Sequence, residues 1–160
     1  MAQLANRKSI RLPPDAYREP GSSWLVALAA PANTRPFADS SFAGATLATM
    51  TDEVPGLGID LRLACLMPDH AHLLATVVDG DLVSAVRALK SRFTLVYHGF
   101  GYRGTLWQRS FHDHGIRTAE AFAAAVRYVV ENPVAAGLVA TWEEYDLIDG
   151  SRLGESRPSP

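Results

Sequence analysis

The sequence has little cysteine, little lysine and no long apolar run, and each shortage excludes something. Its one cysteine, Cys65, cannot form an internal disulfide and fits a reducing compartment. No apolar stretch approaches the roughly 18 residues of a membrane-spanning helix, and the mean hydropathy is +0.00. The first residues carry Asn6, Arg7, Lys8 and Arg11 into Pro13-Pro14 rather than an apolar stretch. No secretory leader is expected from that pattern, and the expected compartment is the cytoplasm. Phosphate-loop, dinucleotide-binding and nucleophile-elbow patterns are missing, as are internal repeats and low-complexity blocks. What is present is 160 residues, 48% hydrophobic and 20% charged. That suffices for one domain with a core of its own.

The net charge of −2 conceals a segregation of signs. Residues 82–117 hold Arg87, Lys90, Arg92, Arg103, Arg109 and Arg117 against Asp113 alone, a net of +5. Residues 38–81 hold seven acids against Arg62, a net of −6. A basic stretch inside an acidic chain suggests an anion-binding face, and thirteen of the fifteen basic residues are arginine, which suits bidentate phosphate contacts.

Residues 1–20 read as a basic, extended lead-in, 21–148 as a single domain, and 149–160 as a disordered tail rich in Ser, Arg and Pro. Ser22 to Ala30 has the length and flanks of a buried strand. Asp39-Ser40-Ser41 offers caps for a helix to about Thr51, with Phe42, Ala45, Leu47 and Met50 as its apolar side. Ile59 to Met67 and His70 to Val78, joined by Pro68-Asp69, form a predicted hairpin. A helix from Leu82 to about His98 shows Leu82, Val86, Leu89, Phe93 and Val96 at 3–4 spacing. Leu106 to His114 reads as a strand or the entry to a short helix. Ala119 to Glu131 reads as a helix stopped by Asn132-Pro133. This order predicts an α+β fold, a ferredoxin-like antiparallel sheet with packed helices.

Chemistry concentrates in two triplets, His70-Ala71-His72 and His112-Asp113-His114. Alternate residues of a strand share a face, so each pair projects two imidazoles together. If the two segments meet, one divalent metal ion has three or four nitrogen ligands, with zinc, manganese, nickel and magnesium all open. Tyr102, beside Arg103 in a glycine-rich loop, is a candidate for stacking on a nucleotide base. Tyr128, with Phe122 and Val129 nearby, reads as core packing, as do Trp24, Trp107 and Trp142.

Four ordered blocks resemble the REP-associated tyrosine transposases, relatives of the single-tyrosine HUH transposases. They are Cys65-Leu66-Met67-Pro68-Asp69-His70-Ala71-His72, Leu89-Lys90-Ser91, Leu106 through Arg117, and Tyr128 through Val139. The resemblance spans roughly residues 20 to 145 and implies the same ferredoxin-like fold. It also implies cleavage and rejoining of single-stranded or hairpin DNA. His70 and His72, joined by His114, would hold a divalent cation, Mg²⁺ or Mn²⁺ by resemblance, with Zn²⁺ as an alternative. A tyrosine would attack phosphorus, giving a 5′-phosphotyrosine link and a free 3′-hydroxyl. Arg87, Lys90, Arg92, Tyr102, Arg103, Arg109 and Arg117 would contact the DNA.

The third block departs from the family pattern. Phe111 and His112 stand where the family's "FYDH" segment carries tyrosine. His112 is then the candidate substitute nucleophile, through a ring nitrogen, with Tyr97 and Tyr102 as further candidates. The expectation is a DNA- and metal-binding protein, monomer or homodimer, whose strand cleavage is weakened or lost. The alternatives are a non-catalytic, domesticated DNA-binding module and a small zinc hydrolase using both histidine pairs.

Overall fold

A computed structural model describes residues 12–54 and 56–154. Five strands form one antiparallel sheet in the order β4-β1-β3-β2-β5: β1 (Ser23–Ala29), β2 (Ile59–Met67), β3 (His70–Val77), β4 (His112–Ile116) and β5 (Ile148–Asp149). Three helices complete the fold, α1 (Ser40–Glu53), α2 (Leu82–Gly99) and α3 (Ala119–Ala135). The succession β1-α1-β2-β3-α2-β4 with that strand order is the ferredoxin-like arrangement expected from the sequence, extended by β5 at one edge.

The period-2 pattern of the strands divides the core into two layers. Trp24, Val26 and Leu28 of β1 share one face with Ala71, Leu73, Ala75 and Val77 of β3, and α1 and α2 cover it with Phe42, Met50, Leu89 and Phe93. Burying a side chain such as Phe42 or Phe93 fully contributes roughly 1.5–3 kcal/mol. The opposite face carries Leu63, Cys65, Met67 and Leu74, and α3 closes it with Val129, Phe122 and Val126. A shift of register between Leu61 and Leu63 lets β2 serve both layers. α3 lies over β2 and β3, so on its side of the sheet Leu25, Ala27 and Ala29 of β1 are only half-buried.

Several boundaries differ from the sequence reading. The helix α3 continues past Asn132-Pro133 to Ala135 and ends at Gly137, whose φ of 72° is the left-handed conformation glycine adopts freely. The Leu138 N–H donates to the Pro133 carbonyl and the Gly137 N–H to the Val134 carbonyl, both at 2.9 Å, a Schellman closure. Pro133 therefore sits within the helix instead of stopping it. β4 begins only at His112, because Leu106, Trp107 and Phe111 turn into the core beneath α2. Of the lead-in, residues 1–11 lie outside the described residues, while Pro14–Tyr17 form a 3-10 turn with Tyr17 buried against Trp24. Residues 149–154, expected in the tail, are tied to the body. Asp149 accepts from Thr51 at 2.8 Å, and Arg152 pairs with Asp60 at 3.0 Å. No helix among the described residues is long and apolar enough to cross a membrane.

Candidate active site

His70 and His72 open β3 on the α3 side of the sheet, as the alternation of strand side chains requires. Their Nε2 atoms lie 3.1 Å apart. Two imidazole nitrogens bound to one metal ion, each about 2.1 Å from it at near-tetrahedral or octahedral angles, stand about that far from each other. Asp69, from the turn before β3, places Oδ1 2.6 Å from His70 Nδ1. A proton held between them keeps it on Nδ1 and leaves the Nε2 lone pair directed at the pair's shared space. His72 is buried, and that burial, with the His70 ring beside it, lowers its pKa from 6.5 to about 4. It is neutral at pH 7, as a metal ligand must be. The donor set, its orientation and its protonation therefore fit a divalent cation.

Burial of a neutral histidine has a consequence for stability. The unfolded chain takes up a proton on this residue near pH 6.5, whereas the folded chain does so only near pH 4. Between those values the unfolded state binds more protons, so stability is complete above about pH 6.5 and falls as pH drops toward 4. In EDTA, urea titrations at pH 7.5 and pH 4.5 should show a loss of about 2–3 kcal/mol that His72→Gln lacks. Equal losses in the two proteins would contradict a buried, neutral His72.

The second histidine pair does not join the first. Register places Ala27 between His72 and His112, so these two share a face but lie two strand spacings, about 10 Å, apart. His114 lines up with Leu25 and Leu74 instead, one pair further along. Both are exposed on the edge strand. Among the described residues no group of three or more His, Cys, Asp or Glu side chains is arranged to hold a metal ion. Cys65 is the cross-strand neighbour of His72, but burial pushes its thiol to about 12, keeping it protonated. A four-histidine hydrolase centre is not assembled.

What does meet the first pair is Tyr128. Its ring stands edge-on to His72, with centroids 5.4 Å apart and planes at 78°. It is 44% exposed, so the reading of Tyr128 as core packing is corrected. The phase of α3 explains this: Val129 and Pro133 form its buried line, and Tyr128 and Asn132 run beside that line one residue earlier. The sequence signal was present, since apolar Phe122, Val126, Val129 and Val130 already define a stripe that leaves Tyr128 at its border.

The other four tyrosines are occupied or on the wrong side. The Tyr17 hydroxyl donates to Asp113 Oδ2 at 3.0 Å. Tyr97 and Tyr102 stack on each other at 4.9 Å against Phe42, in the α1–α2 layer, and the Tyr102 hydroxyl donates to Asp39 Oδ2 at 2.5 Å. The Tyr145 hydroxyl donates to the Leu66 carbonyl at 2.6 Å, and burial pushes it to about 12. Phe111 points into the α1–α2 layer, away from the histidines, so a tyrosine there would not reach them.

The predicted DNA contacts divide as well. Arg87, Lys90 and Arg109 line one groove between α2 and the segment 104–111. Lys90 Nζ is committed to that segment, donating to the carbonyls of Gln108 at 2.7 Å and Arg109 at 3.3 Å. Arg92 is half-buried on another side of α2. Arg103 donates to the carbonyls of His98 and Tyr102, closing the end of α2. Arg117 is exposed beyond β4, at the end of that strand remote from His112. The structure does not gather the seven on one face.

No protein-family model matches the chain. It is 34% identical over 76 residues to the REP-associated tyrosine transposase of Escherichia coli, covering 46% of this chain and 44% of that one. A Haemophilus influenzae protein provisionally given the same name is 32% identical over 93 residues, 51% of this chain and 53% of that one. The matches thus span about half the length of these curated relatives. Among solved structures, a REP-associated tyrosine transposase bound to a REP hairpin superposes with a TM-score of 0.66 at 21% identity, covering 82% of this chain and 78% of that one. A Deinococcus radiodurans protein described provisionally as a transposase gives 0.52 at 21%, covering 69% of this chain and 88% of the other. In sequence over its matched half, and in fold over most of its length, the chain is a relative of the REP-associated tyrosine transposases.

Proposed function

We propose that the chain cleaves and rejoins single-stranded DNA at hairpin-forming sites, with Tyr128 as the nucleophile and His70 and His72 as ligands of a divalent cation. The observation that carries this reading is the half-exposed Tyr128 ring against the paired imidazoles. A solved neighbour is itself bound to a REP hairpin, which supports the DNA partner. The cleavage-deficient reading rested on Phe111 and His112, and it loses its ground if the tyrosine stands on α3 instead.

In the proposed step the Tyr128 oxygen bonds to phosphorus and the bond from phosphorus to the 3′ oxygen breaks. The phenol proton leaves to solvent, and the departing 3′ oxygen takes one up. One phosphate diester replaces another, so the link stores the energy needed for rejoining. A cation held by the histidines would supply Lewis-acid stabilisation of charge on the phosphate oxygens. Asn132 stands one turn after Tyr128 on the same side of α3. Its amide nitrogen donates to the Tyr128 carbonyl at 3.4 Å, leaving its oxygen as the donor atom toward a cation, a choice that suits Mg²⁺ or Mn²⁺.

Labelled hairpin DNA with single-stranded flanks, incubated with the protein and Mn²⁺ or Mg²⁺, should yield a covalent protein–DNA band that EDTA prevents. Tight binding without any such band, in either metal, would leave a DNA-binding module and reject the enzyme.

A further inference from the structure

We infer that the groove between α2 and the segment 104–111 is a subsite for one unpaired nucleotide, its phosphate held by Arg87 and Arg109. The groove has a volume of about 390 Å³ and is lined by these arginines, Thr94, Trp107 and Phe111. A duplex cannot enter a cleft of that size, whereas a single nucleotide can. Arg87 and Arg109 are both exposed, one on each wall, and offer planar forks suited to a phosphodiester.

The groove's inner wall supplies a second observation. Trp107 is 4% exposed, and its indole N–H is buried without a hydrogen-bond partner. Such a donor is costly to leave unmade. Its ring neighbours are Phe37 and Phe93 on the core side, so the groove is the direction from which an acceptor can arrive. Lys90 holds the outer wall in place through its bonds to the Gln108 and Arg109 carbonyls.

The subsite lies on the α2 side of the sheet, and Tyr128 on the other. One loop joins them. The Gln108 N–H donates to the Ala29 carbonyl at 2.7 Å, and Gln108 Nε2 to the Ala30 carbonyl at 2.9 Å. Ala29 is the cross-strand partner of His70. A strand seated in the groove therefore leaves it at the same end of the sheet at which His70 stands. The subsite would position DNA flanking the cleaved phosphate. That role rests on the proposed cleavage, whereas the binding itself does not.

The test compares the full chain with Arg87→Ala/Arg109→Ala, using fluorescence anisotropy on a single-stranded oligonucleotide and on a blunt hairpin across a salt series. Affinity for the single strand should fall roughly tenfold, and the salt slope should flatten by about 1.4, or 0.7 for each lost phosphate contact. The blunt hairpin should change less than twofold. An unchanged single-strand affinity and slope, or an equal loss on the blunt hairpin, would overturn the subsite. The parallel variant Tyr128→Phe should bind as the parent does. If the parent forms no adduct but the arginine effect on single strands is present, the subsite stands and the cleavage reading fails.

Discussion

Tyr128→Phe is expected to reduce the covalent protein–DNA adduct by at least about 10³-fold while leaving DNA affinity within a factor of two. Removing a nucleophilic oxygen leaves binding intact and deletes the covalent step, so the loss falls on turnover. The ring is half-exposed and its hydroxyl makes no hydrogen bond among the described residues, so the substitution costs the fold little. Tyr97→Phe, Tyr102→Phe and His112→Ala should each retain the adduct. The first two rings belong to the Phe42 cluster of the α1–α2 layer, and His112 is separated from His72 by the whole width of β1. Inserting tyrosine by His112→Tyr should not add a second adduct, for the same reason of distance. If His112→Ala removed the adduct and Tyr128→Phe did not, the nucleophile would be the imidazole on β4.

The second large effect concerns the cation. His70→Ala and His72→Ala should each lower metal-dependent cleavage by about 10²-fold or more, because two nitrogen donors 3.1 Å apart act as one site. Asp69→Asn should be milder, weakening Mn²⁺ activation by roughly 10- to 100-fold, since the carboxylate only orients the His70 ring. His114→Ala should be near neutral, its neighbours in register being Leu25 and Leu74. Titrating Mn²⁺ against adduct yield distinguishes these cases. A ligand loss shifts the midpoint to higher metal, and a folding defect lowers the plateau instead. Full activity in His72→Ala at the parent's Mn²⁺ midpoint would remove the metal site from the account.

The elements with a clean period were legible in the sequence. The hairpin Ile59–Met67/His70–Val77 and the helix Leu82–Gly99 fall within one residue of where alternation and 3–4 spacing put them. The histidine face followed from strand period alone. The segment before β4 was harder, because Trp107 and Phe111 are buried by tertiary packing against Phe37 and Phe93, which no local pattern encodes. Pro133 misled for a local reason: a proline near a helix C-terminus loses only one hydrogen bond, and the Gly137 closure restores the last carbonyls. Tyr128 was misread because its neighbours Val129 and Val130 are apolar. One residue of helical phase, about 100°, separates the buried line from the edge of the histidine site. The arginines show the limit of charge counting, since their sum survives folding but their common face does not.

The most direct measurement is to digest the covalent adduct formed with hairpin DNA and Mn²⁺ and locate the attached nucleotide by mass spectrometry. The account predicts a 5′-phosphate on the peptide that contains Tyr128 and no modified peptide from residues 97–117. Attachment at His112, Tyr97 or Tyr102, with the Tyr128 peptide unmodified, would contradict it.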